Sequence, residues 1–398
     1  MLTVEKLDDY IFKCMCGFAF CSCINGYVAD QFTGVALFLG IIRFVNAKPV
    51  VSIPKEYGRA ILCFVGIFFL FIFFSDEMVK AAKEYWRYIN RMIPLLLIIL
   101  FVHERKKLFW LFFYVLGSMF INNLFGIFQG ILSIINDHKY IRVNGFMDII
   151  DFAGCLLIYL PVTLILVLEY RKNKKAVYFF GAFFVGLMAL IMNGTRIAWI
   201  IILIYLPLIY MIYIKTLKKI LVAFLILSIS IGFITSYVPF VNDRVKSFAD
   251  FENSSNKGHY FIIIDTMQMI RDKPLYGVGL GNFETIYNEY YISEDTKTVE
   301  SFVSHAHNTT MQIWAETGLI GVVVFWFMFG SFLYYSLKNW LQNRHVEDLM
   351  FFMITLGTVL QGITDYSFGL NIVMKVYFFI VAVYLNYRYC IKRGKNEF

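Results

Sequence analysis

Two histidines that stand one residue apart are the side chains of this sequence best suited to moving a proton. His305 and His307 lie in SHAHNTT, near the end of the longest polar interval. A histidine titrates near neutrality, so it can accept a proton from an attacking hydroxyl group. We predict His307 as the catalytic base and His305 as a supporting residue; the alternative is that the loop backbone satisfies both rings. Asn308 is expected to cap the helix that follows, Glu316 to lie further along that helix, and Asp365 to be a buried carboxylate elsewhere.

Three arginines in separate polar segments are suited to binding an anion together. Arg196 follows Asn-Gly-Thr and immediately precedes a long apolar run, whereas Arg142 and Arg244 occupy other polar segments. A guanidinium group stays charged and can hold phosphate oxygens with two parallel hydrogen bonds. We therefore predict that the three arginines surround one cavity that binds a phosphate group. The alternatives are an interfacial arginine for Arg196 and solvated surface charges for the other two.

Glycines at positions 277, 279 and 281 stand within the same polar interval, in PLYGVGLGNF. This segment lacks the Lys-Ser/Thr pair of a phosphate loop and follows no buried strand, so it predicts a tight turn and not a nucleotide site. The doubled Cys-x-Cys pattern at positions 14–23 lies in an apolar segment, where the thiols would point to different sides of a helix. A four-thiolate metal site is therefore disfavoured. No metal and no cofactor is expected.

The composition requires membrane-spanning helices to carry these residues. Hydrophobic residues make up 59% of the 398 residues and charged residues 16%, with a mean hydropathy of +0.66. Runs such as RIAWIIILIYLPLIYMIYI are long enough to cross a bilayer, and lipid offers no hydrogen-bond partner to the backbone, so the spans must be helices. We predict an all-α polytopic bundle of about twelve spans, with one large extracytoplasmic loop that contains short helices.

Basic clusters alternate along the chain and predict its orientation. They follow the even-numbered spans, which the positive-inside rule places in the cytoplasm together with both termini. Residues 1–240 are assigned to spans one to nine, 241–311 to the extracytoplasmic loop, and 312–398 to spans ten to twelve with a cytoplasmic tail. The predicted spans are residues 10–26, 33–47, 59–75, 88–103, 109–134, 152–169, 176–193, 196–214, 219–240, 312–336, 349–367 and 372–388.

Four segments are predicted on the external side. Residues 76–91 have helical periodicity with aromatic residues among charges, which indicates an interfacial helix. The interval 241–308 carries ten acidic and six basic residues, and this net negative charge disfavours nucleic acid as a partner. Residues 254–274 predict a short amphipathic helix, capped by Ser255 or Asn256, with Pro274 after its end. The remaining external segments are 136–151 and 193–196.

Taken together, these motifs resemble the O-antigen ligase/polymerase superfamily. A P-x-x-G-x-G-x-x-x-F turn, a His-Asn pair and an E-x-G-x-x-G segment occur here as PLYGVGLGNF, HAHN and ETGLIG. The Thr-Arg pair that ends at Arg196 and the R-x-x-G that begins at Arg142 are similar too. The resemblance covers most of the chain in architecture and chiefly residues 255–321 in motif.

The resemblance implies a metal-independent glycosyltransferase of the bacterial inner membrane. Such an enzyme takes a glycan from an undecaprenyl-diphosphate carrier at the periplasmic face, without a nucleotide sugar. By motif, His307 matches the base or the residue that orients the acceptor, and Arg196 matches a diphosphate-binding residue. One position departs from the pattern, because His259 stands where the family commonly has an arginine. Lys257, Arg244 or a protonated His259 are the candidates to replace that arginine.

The acceptor of the glycan separates the functions that the resemblance allows. A ligase transfers a finished polymer to lipid A–core, a polymerase transfers a growing chain to another lipid-linked repeat, and a related group glycosylates proteins. We favour the ligase because the chain is compact and has a single dominant loop; polymerase is the alternative. From another class, a transporter of lipid-linked glycans or small anions would favour an internal repeat and mid-membrane charges, and neither is apparent. The expected partners are a lipid-linked donor, a glycan acceptor and membrane lipid.

Overall fold

Every regular element in the described part of the chain is helical. The computed structural model describes residues 3–49, 51, 53–137, 141–214, 216, 218, 236, 239–250 and 252–394. The helices in chain order are α1 (Val4–Cys21), α2 (Gly26–Asn46), α3 (Lys55–Leu70), α4 (Met78–Phe101), α5 (Arg105–Asp137), α6 (Ile149–Glu169), α7 (Lys175–Asn193), α8 (Arg196–Tyr213), α9 (Pro239–Ala249), α10 (Ser254–Asp272), α11 (Phe283–Ile286), α12 (Glu294–Val299), α13 (Thr309–Asn343), α14 (Val346–Gln361) and α15 (Asn371–Gly394). A π-helical turn at Tyr287–Tyr291 and a 3-10 turn at Ser367–Gly369 complete the set.

Six of these described helices are long and apolar enough to cross a membrane. They are α2, α5, α6, α7, α8 and α13. The predicted all-α class and the membrane character of the chain are thereby confirmed. The count of about twelve spans stays a prediction. Span nine, residues 219–240, lies almost entirely outside the described residues.

Helix α6 forms the centre of the bundle and is buried along most of its length. It packs against α5, α7, α8, α14 and α15. Small residues permit close approach at these contacts, since a Cβ at Gly186 would press on the ring of Tyr159. The hydroxyl of Tyr205 crosses from α8 and donates to the carbonyl oxygen of Met353 at 2.8 Å. Close packing and interhelical hydrogen bonds of this kind hold membrane helices together, because lipid is as apolar as the helices themselves.

The predicted interfacial helix at residues 76–91 is not a separate element. From Met78 onward it is the first half of α4, which continues without a break to Phe101. The polar residues do not end the helix because they find partners inside the protein. Arg91 is only 5% exposed, and its Nη2 donates to the carbonyl oxygen of Gly369 at 2.8 Å. Its guanidinium group also lies over the rings of Tyr88 and Phe368.

The polar interval is attached to the bundle at a break within α13. Gly318 has φ 66° and ψ −167°, so the helix is interrupted there. The amide of Leu319 donates to the carbonyl oxygen of Pro274 at 2.9 Å, and the amide of Val278 donates to the carbonyl oxygen of Ala315 at 2.8 Å. The predicted tight turn is confirmed, because the glycines at 277, 279 and 281 have φ values of 69°, 102° and 75°. Backbone hydrogen bonds therefore join the P-x-x-G-x-G turn to the E-x-G-x-x-G segment.

Helix α10 begins at Ser254 and ends at Asp272, before Pro274 as predicted, but its N-cap residue differs from the prediction. Asn253 is the N-cap residue, and its side chain accepts a hydrogen bond from the amide of Ser255. The prediction of Ser255 or Asn256 as the cap is therefore wrong. The helix begins earlier because an asparagine before the first turn can satisfy an otherwise unpaired amide.

Substitution at the helix break should loosen the whole polar interval. A Cβ at Gly318 would overlap the backbone of Leu275, and the φ/ψ values there suit glycine alone. We expect Gly318→Ala to lower the free energy of unfolding by about 2 kcal/mol, measured as a lower thermal midpoint in detergent. Gly330→Ala is the control, because Gly330 lies in the same helix with open space around it. Equal midpoints for the two variants would contradict the attachment described here.

Candidate active site

A cavity of about 650 Å³ opens at the end of the bundle where α6, α8 and α13 begin. Helix α10 and residues 363–365, which follow α14, complete its wall. All the arginines and histidines predicted for the site border this central cavity, whereas Asn308 and Glu316 do not. They are Arg142, Arg196, Arg244, His259, His305 and His307. The structure thus brings together residues that come from five separate segments of the sequence.

Hydrogen bonds hold two of the arginines that border the central cavity. Arg196 donates from Nη1 to the carbonyl oxygen of Ser247 at 2.9 Å and from Nη2 to Oγ of Ser255 at 3.3 Å. Arg142 donates from Nη2 to Oγ1 of Thr195, the residue before Arg196, at 2.9 Å. These bonds orient two guanidinium groups from different segments toward the same space. That arrangement suits an anion with several oxygen atoms.

Arg244 approaches Arg196 through the turn that precedes α8. Gly194 ends α7 with φ 68°, a left-handed conformation that favours glycine. A Cβ at that position would lie 3.5 Å from Nε of Arg244 and would overlap the ring of Phe240. The absence of a side chain at Gly194 therefore lets α9 pack closely against the start of α8. Arg196 and Arg244 both border the central cavity, and an anion bound there would offset the repulsion between their like charges.

The histidines form a compact cluster that borders the same cavity. The ring of His307 lies 4.3 Å from that of His305 and 4.4 Å from that of His259, measured between centroids. Nδ1 of His305 lies 2.7 Å from Oγ of Ser304, and its Nε2 lies 3.6 Å from Oδ1 of Asp365. A proton that reaches His307 would therefore be close to a second imidazole group and to a carboxylate.

The backbone of His307 is held in a conformation that only the surrounding structure can enforce. Its φ is 47°, in the left-handed region that residues other than glycine seldom adopt. The predicted cap is confirmed, since the side chain of Asn308 accepts a hydrogen bond from the amide of Met311 at 2.9 Å. The amide of Ala306 donates to Oε1 of Gln312 at 2.8 Å. These two bonds fix the chain on both sides of the strained residue.

Glu316 and Asp365 act on the histidines from different directions. Glu316 is buried in α13 and accepts a hydrogen bond from Nε2 of Gln312 at 3.0 Å, so it orients the amide that holds Ala306. Asp365 does not lie in span eleven as predicted, because α14 ends at Gln361. The loop that carries Asp365 is attached to the start of α13, where the amide of Thr309 donates to the carbonyl oxygen of Gly362 at 2.8 Å.

The protonation state of the histidines follows from their burial. The pKa of His307 is lowered to about 4, mainly by burial and to a lesser extent by the neighbouring rings of His305 and His259, whereas Asp365 opposes the shift. Burial is also the main cause that lowers the pKa of His259, and the charge of Arg196 contributes. Both rings are therefore neutral at pH 7. A neutral imidazole is the form that can accept a proton.

The structure indicates which residue could take the place of the family arginine that His259 replaces. A neutral His259 does not replace the charge of an arginine. Lys257 forms an ion pair with Glu252 and does not border the central cavity. Arg244 does border it, next to Arg196. Of the three substitutes expected from the sequence, Arg244 is therefore the one that the geometry favours.

Two carboxylates of the central cavity were not singled out in the sequence. Asp148 and Asp151 line the wall at the start of α6. Their spacing of three residues at the beginning of an apolar helix puts both on one face, and this signal could have identified them. Oδ1 of Asp151 is buried and has no hydrogen-bond partner among the described residues.

One group of side chains has a spacing that a metal ion could use. Donor atoms of His305, His307 and Asp365 all lie within 4.8 Å of one another. The same spacing also suits groups that transfer a proton from one to the next, and such groups commonly lie together without a metal ion. The expectation of metal-independent chemistry therefore stays a prediction.

The fold and the cavity define a helical membrane protein with a cavity lined by arginines and histidines at one end of its bundle. Residues 181–326 match the model of the family described as O-antigen ligase. The superfamily resemblance seen in the motifs is thereby confirmed. The matched residues include five of the six arginines and histidines predicted for the site, namely Arg196, Arg244, His259, His305 and His307.

A relative from Haemophilus influenzae is similar over most of the chain. It is an uncharacterized protein that is 23% identical over 326 residues, which is 78% of this chain and 80% of the relative. The similarity therefore extends well beyond the segment that matches the family model.

The low pKa of His307 can be measured without an activity assay. Diethyl pyrocarbonate modifies only neutral imidazole, so peptide mapping of the modification rate against pH reports the titration of each histidine. A histidine in a model peptide loses reactivity at about pH 6.5, which is the pKa of a free histidine. We expect His307 to keep reacting below that pH and to lose reactivity near pH 4. A midpoint for His307 equal to that of the model peptide would contradict the buried environment. Tryptophan fluorescence at each pH checks that the fold persists.

Proposed function

We propose that this protein is a glycosyltransferase that moves a glycan from an undecaprenyl-diphosphate carrier to an acceptor hydroxyl group. The observation that carries the proposal is one cavity bordered by three arginines and by a neutral histidine, His307. The arginines suit a diphosphate, and the histidine suits the proton that an attacking hydroxyl group must lose. The match of residues 181–326 to the O-antigen ligase family supports the same reaction class.

The reaction would proceed as a single displacement at the anomeric carbon. The acceptor oxygen forms a bond to that carbon as the bond to the diphosphate oxygen breaks, and the bonding electron pair leaves with the diphosphate. Its growing negative charge is met by Arg196, Arg244 and Arg142, so no strong general acid is needed. His307 receives the proton of the acceptor hydroxyl group. A displacement in one step inverts the configuration of the sugar.

The donor itself would make His307 a better base. In the cavity without substrate, burial holds the pKa of His307 at about 4. A bound diphosphate brings negative charge into the same cavity, and a nearby negative charge favours the protonated imidazole. The pKa of His307 should therefore rise when the donor binds. Proton transfer would then become favourable only when the leaving group is in place.

We assign the acceptor as lipid A–core, which makes the protein an O-antigen ligase. The description of the matched family favours this acceptor over another lipid-linked repeat. The alternation of basic clusters along the chain supports a cavity on the periplasmic face of the inner membrane, with both termini in the cytoplasm. Purified protein with lipid-linked glycan and lipid A–core should yield one product of the full glycan length. A ladder of longer lipid-linked chains, formed from the donor alone, would show a polymerase instead.

Removal of the base should abolish transfer and leave the donor site intact. We expect His307→Ala to lower the rate of glycan transfer at least about 100-fold, because general base catalysis typically contributes that much or more. The assay uses purified protein, lipid-linked glycan and lipid A–core, with EDTA present because the proposed chemistry needs no metal. His345→Ala is the matched control, since His345 is exposed and lies outside the cavity. Full activity of His307→Ala, or dependence of the wild type on added metal, would refute the proposed chemistry.

Arg196 should contribute through its charge. We expect Arg196→Ala to weaken donor binding and transfer at least about tenfold, and Arg196→Lys to recover part of the loss, because lysine restores the charge but not the two parallel hydrogen bonds. Donor affinity is measured with the purified protein in detergent. Arg344→Ala is the control, since Arg344 follows α13 at its far end and does not border the cavity. If Arg196→Ala binds the donor as the wild type does, Arg196 is only a membrane anchor.

A further inference from the structure

A second cavity, of about 570 Å³, lies beside the central cavity and shares a wall with it. It is bounded by the end of α1, the loop between α5 and α6, and the start of α15. Asp148 and Asp151 border both cavities. The two spaces therefore meet at a pair of carboxylates, and the proposed function assigns no role to the second one.

The loop that forms one wall of the second cavity is firmly held. The side chain of Gln129 binds Gly145 twice, accepting from its amide and donating to its carbonyl oxygen, both at 2.9 Å. Oδ1 of Asn122 accepts from the amide of Phe146 at 2.8 Å. Gly145 has φ 62°, and a Cβ there would overlap the side chain of Asn122. Side chains of α5 thus fix the loop backbone, so the wall has a defined shape.

An aromatic ring stands at the edge of this wall. Phe146 is 42% exposed and lines the second cavity. Its ring stacks on that of Phe125, with centroids 3.9 Å apart and an angle of 5° between the planes. The stacked partner holds the exposed ring in one orientation. A fixed, half-exposed aromatic ring offers a flat apolar surface to a ligand.

The polar groups around this ring are acceptors of hydrogen bonds. Asp148 and Asp151 present carboxylates, and Asn144 adds an amide. Oδ1 of Asp151 is buried without a partner among the described residues, so a donor from a ligand would satisfy it. A saccharide has both features that match these groups: hydroxyl groups that donate to carboxylates, and ring faces of C–H groups that pack on an aromatic surface.

The charges of the two cavities separate the two substrates. A diphosphate is attracted to the arginines of the central cavity and repelled by Asp148 and Asp151. A neutral saccharide is not repelled by these carboxylates. An acceptor that lies in the second cavity can extend a hydroxyl group across the shared wall, into the cavity that contains His307.

We propose that the second cavity is the binding site for the acceptor saccharide, with Phe146 as the stacking surface and Asp148 and Asp151 as acceptors for its hydroxyl groups. This inference rests on the proposed function, because an acceptor site has meaning only in a transferase. It identifies a saccharide, and not a lipid tail or a phosphate, as the group that the cavity recognises.

The test separates the Michaelis constants of the two substrates. We expect Phe146→Ala and Asp151→Asn each to raise the KM for the acceptor at least tenfold. The KM for the donor should change less than twofold in Phe146→Ala and should not rise in Asp151→Asn, because that variant removes a charge that repels the diphosphate. Phe146→Trp should stay close to the wild type, because it keeps an aromatic surface. Asp295→Asn is the control, since Asp295 is exposed on α12, away from both cavities. An unchanged KM for the acceptor in both variants, or equal changes for both substrates, would overturn the proposal.

A binding experiment keeps this inference distinct from the proposed function. Lipid-free core oligosaccharide is titrated into the purified wild type and Phe146→Ala, with the donor absent. Binding that Phe146→Ala weakens at least tenfold supports the saccharide site even if no transfer is detected, in which case the proposed reaction alone fails. Equal binding by both proteins, or binding only when the lipid is attached, would overturn the saccharide site while leaving transfer open. Each variant must elute as a monodisperse peak before it is assayed.

Discussion

The break in α13 at Gly318 is the constraint on which the rest of the site depends. Because the chain leaves helical geometry there, the carbonyl groups of Ala315 and Glu316 become available to the turn at residues 277–279. The polar interval is thereby fixed against the bundle. The side chain of Glu316 orients Gln312, which in turn holds the backbone next to His307. The segment E-x-G-x-x-G thus connects the polar interval to the membrane helices, and the predicted catalytic residue His307 precedes the start of the same helix, α13.

A second constraint is electrostatic. Three arginines, three histidines and three aspartates border one cavity. Burial lowers the pKa of His259 and of His307, so these two rings add no positive charge at pH 7. The arginines favour a diphosphate beside them, and Asp148 and Asp151 offer acceptors to neutral, hydroxylated groups. The same distribution of charge therefore supports both the proposed reaction and the separation of its two substrates.

The sequence allows much of the site to be predicted because its determinants are local. The His-Asn pair, the glycine turn and the arginine after Asn-Gly-Thr each depend on neighbours within a few residues, and all of these residues take their predicted conformations or positions. The roles of the site residues themselves stay predictions. The membrane class follows from hydropathy, which is a sum over many residues and tolerates local errors.

The features that could not be predicted depend on partners far away in the chain. Helix α4 continues through Arg91 because the carbonyl oxygen of Gly369 accepts its hydrogen bond, 278 residues later. The position of Asp365 beside His305 depends on the loop after α14 being attached to the start of α13. Likewise, the position of Asp148 and Asp151 between two cavities is visible only in the folded structure. Periodicity and charge along the sequence carry no information about such contacts.

The central claim is that His307 and the arginines support a single displacement in one cavity. The configuration of the newly formed glycosidic bond tests it most directly, by NMR of the product formed from a donor of known anomeric configuration. The account predicts that the configuration is inverted relative to the bond to the diphosphate. A product with retained configuration would require a covalent intermediate or a second displacement, and would contradict the account.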